Sequence, residues 1–189
     1  VALPFKIKNQ EIVLYSSIGI VLFPEDGITG HELLKNADTA MYHAKSSGRN
    51  TFKYFSRAMH ERVQYDMQIT QELQKAIEKN QMSVHFQPQL RSHKDRLVGF
   101  EALLRWTNAQ GDTISPAVFI PIAEECGLIL ELGEWVFKKV CSQIQQWQGQ
   151  ENFANLVVSV NVSAIQLKAG DFHKLVKNSL QEFAISPQH

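Results

Sequence analysis

The chain has 189 residues, 44% apolar and 20% charged, a globular composition that argues against collagen-like, disordered and membrane-spanning classes. Nineteen Lys and Arg balance nineteen Asp and Glu, so no global charge draws the chain to DNA, RNA or an acidic membrane, and any nucleotide it binds is held by a local site. There is no apolar run of about 20 residues, the opening VALPFKIKNQ lacks the basic start and long apolar core of a signal peptide, and Cys126 and Cys141 lack a CxxC spacing and read as reduced packing residues.

Residues 11 to 23, EIVLYSSIGIVLF, are dense in β-branched and aromatic side chains and end at Pro24-Glu25-Asp26-Gly27, which predicts a strand closed by a turn. Thr29 with Glu32 forms a capping box, and Leu34, Ala37, Met41 and Ala44 repeat at helical spacing up to Gly48, predicting a helix packed on that strand. Thr51 to Phe55 reads as a short strand. From Ser56 to Asn80, Met59, Val63, Met67, Thr70, Leu73 and Ile77 recur at steps of three and four without Gly or Pro, which predicts a long amphipathic helix bridging two domains. Beyond it Met82, Val84 and Phe86 alternate with Ser83, His85 and Gln87, and Val158, Val160 and Val162 alternate with Ser159, Asn161 and Ser163. Leu97 to Trp106 is a strand between them, and helices are predicted over 115–126, 132–148 and 171–183. Strands separated by long helical segments predict parallel β/α units.

Glu101 lies inside the apolar run Phe100-Glu101-Ala102-Leu103-Leu104, where a carboxylate is costly unless it meets a cation or a hydrogen-bond network. A buried ion pair and metal ligation both satisfy that requirement. Arg105 points the same way about 13 Å further along the strand, too far for a simple pair with Glu101 but suited to a ligand spanning the gap. Its guanidinium fork matches phosphate; a solvated strand-end Arg is the alternative. The amides of Gln87 and Asn161 lie on polar strand faces and suit a nucleobase edge or a metal's oxygen shell, or else are satisfied by backbone. Lys45 and Arg49 flank Ser46-Ser47-Gly48 at a helix end, where cations complement the dipole or contact phosphate. Seven His residues include no HExxH, and GxSxG, GxGxxG and GxxxxGK[ST] are absent, which disfavours zinc-protease, serine-hydrolase, dinucleotide and P-loop chemistry.

The stretches SIGIVLFPEDG and LLKNADTAMYHAKSSGRNTFKYF resemble the C-terminal end of a GGDEF (diguanylate cyclase) domain. HFQPQL, GFEALLRW, SPAVFIPIAEECGLI and VSVNVSAIQL resemble the N-terminal half of an EAL domain. In tandem these form the architecture of bacterial cyclic-di-GMP signalling. The resemblance implies an α/β chain: residues 1–55 as the C-terminal part of a GGDEF domain, 56–80 as a linker helix, and 81–189 as the first half of an EAL domain, an incomplete TIM-like (β/α)8 barrel. It implies that Glu101, the Glu of the EAL motif, is catalytic and a ligand of Mg²⁺ or Mn²⁺, with Asn161 as a second ligand. Arg105 would grip a phosphate of cyclic-di-GMP, Gln87 would contact the ligand near the scissile region, and Lys45 and Arg49 match positions that touch GTP phosphates. EAL enzymes resembling this chain use the metal to activate water for in-line attack on one phosphodiester, giving linear pGpG.

Opening at Val1 without Met, the chain reads as a segment of something longer. The GGDEF signature lies upstream, and the family's DDFGTG-like motif, Lys and final Glu lie downstream, so the chain alone is expected to be neither cyclase nor phosphodiesterase. Only 122 residues follow Met67, against about 250 in a (β/α)8 barrel. The barrel is therefore expected to stay open, with a free strand edge that favours dimers or aggregates. Three readings remain for the parent: a cyclic-di-GMP phosphodiesterase, a degenerate receptor that binds the dinucleotide without hydrolysing it, or an unrelated metal-dependent barrel. The resemblance implies a bacterial cytoplasmic location, with any membrane anchor upstream of Val1.

Overall fold

Two short antiparallel strands, β1 (Phe5–Ile7) and β2 (Gln10–Ile12), open the chain in the computed structural model, which describes residues 4–8, 10–79, 81–91, 96–150, 153 and 156–188. β3 (Ile18–Ile20) pairs in parallel with β4 (Phe52–Tyr54) in a separate two-stranded sheet. The single strand predicted over 11–23 is thus two strands. Its halves pair with different neighbours, so the backbone leaves regular pairing between Val13 and Ser17, a break that side-chain composition does not reveal.

The crossover between β3 and β4 is α1 (Gly30–Ser46). Its start is fixed by the Thr29–Glu32 capping box: the Glu32 N–H donates to Thr29 Oγ1 at 3.2 Å, and the Thr29 N–H donates to Glu32 Oε2 at 3.1 Å. The N–H groups of Ile28 and Thr29 hold the Glu32 carboxyl below its usual range. On its inner face α1 buries Ala40 and Ala44. The helix crosses β3 so closely that a Cβ on Gly19 would stand 1.9 Å from the Ala37 carbonyl oxygen. Only glycine permits that approach.

The long helix α2 (Arg57–Glu78) follows; Asn80, where the sequence places its end, lies outside the described residues. The chain divides within it into two compact units, Val1–Gln68 and Ile69–His189.

In the second unit β5 (Met82–Arg91) and β6 (Arg96–Thr107) form a long antiparallel pair, and β7 (Thr113–Ile114) adds a short antiparallel stretch at the far end of β6. Then come α3 (Pro116–Cys126), α4 (Ile129–Trp147), β8 (Val157–Val160), α5 (Ala164–Lys168) and α6 (Phe172–Glu182). β8 pairs in parallel with β6 across the α3–α4 crossover, as a β/α unit requires. β5 and β6 depart from the expected pattern, because only a few residues join them and a parallel connection needs a dozen or more. Among the described residues the sheet does not close into a barrel.

Strand alternation sets the packing. Even-numbered residues of the sheet, Met82, Ala102 and Trp106 among them, face the helices and are buried with Phe119, Leu132, Val136 and Val140. Ile69, Leu73 and Ala76 of α2 join the same core. Further along, Trp147 lies between Phe86, Phe100 and Phe153, with ring centroids 4.9 to 5.5 Å apart. The two cysteines differ sharply. Burial, with a smaller contribution from the Glu182 charge, pushes the Cys141 thiol up to about 11, whereas Cys126 is exposed. Because the thiolate is the reacting form, a thiol titration with a disulfide reagent at pH 8 on native protein is expected to modify one cysteine rapidly, and peptide mapping to find it at Cys126. Equal labelling of Cys141 would contradict this core.

Candidate functional site

The face of the sheet turned away from the helices carries the odd-numbered residues. Across it Gln87 of β5 stands opposite Glu101 of β6, and Glu101 stands opposite Ser159 of β8, so three polar side chains form one row. Asn161 lies just past β8. Its Nδ2 donates to Glu101 Oε1 at 2.7 Å, and Glu101 makes no ion pair among the described residues. Register joins two residues sixty positions apart. Among the described residues the Asn161 amide, and not the buried ion pair that the sequence left open, holds this carboxylate.

Arg105, four residues beyond Glu101 and on the same face, is half-buried and donates from Nη1 to the Leu104 carbonyl at 2.9 Å. Arg105 and Asn161 also border a cavity of about 170 Å³ whose walls include Leu104, Ile120, Leu132, Val136 and Val160.

Behind Asn161 is a network that sequence reasoning did not single out. The Ser163 hydroxyl donates to Glu124 Oε1 of α3 at 2.5 Å, and Ser163 Oγ accepts the Ile165 N–H at 3.1 Å. The Ser163 N–H donates to Gln166 Oε1 at 2.9 Å. Gln166 is buried, and its amide nitrogen occupies the space above Gly133 of α4, where a Cβ would lie 1.7 Å away. The readable signal is Ser163-x-x-Gln166, a capping-box spacing directly after Asn161-Val162.

In the first unit, Lys45 occupies the last turn of α1, and Arg49 lies in the turn leading to β4. Both side chains are exposed, and Arg49 and Asn50 have φ of 60° and 49°, left-handed backbone that non-glycine residues adopt at a cost. The sequence therefore spends conformational energy to hold the backbone at Arg49.

The donors on the sheet face are oxygens of the kind that hard divalent cations take. A carboxylate free of a cation partner beside a side-chain amide fits such an ion in kind, though it supplies only part of a shell. Among the described residues no three His, Cys, Asp or Glu side chains gather.

A mixed sheet with helices packed on one face, and a carboxylate–amide pair with an arginine on the other, defines an open β/α domain with a polar cluster on its exposed sheet face. Family comparison agrees: residues 70–189 match the EAL domain, and residues 1–51 match the diguanylate cyclase GGDEF domain. The chain belongs to the EAL domain family, preceded by a GGDEF segment. It is 39% identical over 98% of its length to the bifunctional diguanylate cyclase/cyclic di-GMP phosphodiesterase MucR of Pseudomonas aeruginosa, covering 27% of that protein. It is 39% identical to the cyclic di-GMP phosphodiesterase PdeR of Escherichia coli over 95% of the chain and 27% of that protein. The chain thus spans about a quarter of the length of these relatives. Among solved structures, a complex of the PaMucR phosphodiesterase with c-di-GMP aligns with a TM-score of 0.61 and 36% identity, covering 65% of this chain and 49% of that one. The FimX EAL domain of Pseudomonas aeruginosa bound to c-di-GMP aligns with a TM-score of 0.55 and 26% identity, covering 63% and 46%.

Proposed function

We propose that this chain is part of a cyclic-di-GMP signalling protein that hydrolyses the dinucleotide to linear pGpG. In this reading residues 1–55 are the end of a GGDEF domain, 56–80 a linker helix and 81–189 the first half of the EAL domain. Glu101 and Asn161 hold Mg²⁺ or Mn²⁺; Arg105 takes a phosphate; Gln87 contacts the ligand near the bond that breaks. The metal, when bound, polarises the phosphodiester and lowers the pKa of water. The chain's own residues orient: Arg105 fixes a non-bridging oxygen through its fork. In the first unit Lys45 and Arg49 are cations for GTP phosphates.

The 2.7 Å contact between Asn161 and Glu101 carries this reading, because it brings an oxygen-bearing side chain of β6 and one of the turn after β8 to one point. Titration calorimetry of the chain with cyclic-di-GMP and Mn²⁺ tests it. Arg105→Ala is expected to weaken binding about tenfold or more, the loss of a charge-assisted phosphate contact. Equal affinity in that variant would remove Arg105 from the site.

Two oxygen ligands are few where a divalent cation takes about six. The 189-residue chain assayed alone is therefore expected to turn over neither GTP nor cyclic-di-GMP, as read by chromatography of the products. Metal-dependent pGpG that disappears in Glu101→Ala would overturn this and point to assembly of a fuller site by self-association at the free sheet edges. Among the described residues no helix is long and apolar enough to cross a membrane.

A further inference from the structure

We propose that Glu124, Ser163, Gln166 and Gly133 form a clamp that positions the Asn161 side chain against Glu101; this rests on reading those two residues as metal ligands. Asn161 to Ser163 have no regular strand or helix pairing to hold them. What fixes this turn is Ser163, two residues from Asn161, which contacts α3 through Glu124 and α5 through Ile165 and Gln166, while the Gln166 side chain in turn packs on Gly133 of α4.

The cap of α5 alone needs only part of this. The Ile165 N–H and the Gln166 side chain already satisfy the helix start. The bond from the Ser163 hydroxyl to Glu124 is additional, and at 2.5 Å it falls in the short range of hydroxyl-to-carboxylate bonds. It ties the turn to α3. The amide of Gln166 in turn fits only because residue 133 of α4 has no side chain, which ties the turn to α4. A five-residue helix with exposed Ile165 and Leu167 adds little to the core, so this anchoring has a better account in holding the turn that presents Asn161. Residues that orient a ligand side chain set metal affinity without touching the metal, and losing them costs about 10- to 100-fold.

The test follows the Asn161 side-chain amide by ¹⁵N–¹H NMR on this chain, with the signal assigned by its loss in Asn161→Asp, and then adds Mn²⁺ and records paramagnetic broadening. Glu124→Ala removes the acceptor of the Ser163 hydroxyl and leaves the α5 cap intact, Ser163→Ala removes cap and clamp together, and Ser163→Thr restores the hydroxyl. The clamp requires the Asn161 signal to move towards that of a free amide in Glu124→Ala and Ser163→Ala, and the Mn²⁺ concentration for half-broadening to rise about 10- to 100-fold. Ser163→Thr should behave as wild type, and the melting temperature of Glu124→Ala should stay close to wild type. An Asn161 signal unchanged in both disruptive variants overturns the clamp. If Mn²⁺ fails to broaden Asn161 even in wild type, the metal reading falls, and the position of the amide signal still decides whether the clamp holds the side chain.

Discussion

Glu101→Gln, placed in a complete EAL domain that includes this chain, is expected to lower the rate of cyclic-di-GMP hydrolysis by roughly 10³-fold or more. A ligand carboxylate holds a Lewis acid worth several kcal/mol of transition-state stabilisation, and each 1.36 kcal/mol is tenfold in rate. The amide keeps the shape and can still meet Asn161, so the fold should be untouched. Affinity for the dinucleotide should fall much less than turnover, because Arg105 and Gln87 remain on the same sheet face. Single-turnover product formation and equilibrium binding, measured side by side, separate the two effects. Turnover equal to wild type would take Glu101 out of the chemistry. A parallel loss of binding and rate would make it a general determinant of the pocket.

Trp106→Ala is expected to cost about 3–5 kcal/mol, the range for deleting a buried large aromatic, and so a large part of the 5–15 kcal/mol that holds a typical domain. Trp106 is 0% exposed, meets Phe119 edge to face with centroids 5.5 Å apart, and packs in one cluster with Ile69 and Leu73 of α2. Its indole Nε1–H finds no acceptor among the described residues. Trp106→Phe therefore removes an unsatisfied donor along with some volume, and its cost should be clearly smaller than that of alanine. Urea unfolding followed by circular dichroism checks both. A midpoint for Trp106→Ala within error of wild type would mean that the indole is not at the centre of this core.

Much of this architecture can be read from local pattern because its causes are local. The capping box at Thr29 and the periodic stripes of α2 and α4 rest on spacings of three and four residues. Odd–even alternation in β6 separates Glu101 from Ala102 without reference to the rest of the chain. What the pattern misses is set at long range. The orientation of β5 depends on how few residues return it to β6, and the break at Val13–Ser17 depends on which strands are available to pair. α5 is shorter than two turns and shows no period. Alternation places Glu101 and Asn161 each on a polar face, but their meeting depends on the register between β6 and β8, and only the family resemblance joined them in advance. The link from Ser163 to Glu124 crosses 39 positions between two helices, and no spacing rule reports it.

The mixed pairing of β6 has a consequence for the order in which the domain assembles. On its β5 side, Arg91 pairs with Arg96, so the two strands can zip locally, on the microsecond scale of hairpins. On its β8 side, Gly99 waits for Val157, 58 residues later in the chain. At about 5–20 residues per second on the ribosome, that interval is several seconds. The hairpin bearing Gln87 and Glu101 can thus form before Asn161 has been synthesised, leaving the β8 edge of β6 unpaired in the nascent chain. This interval is where a chaperone, or a second nascent chain, would find an open strand to bind.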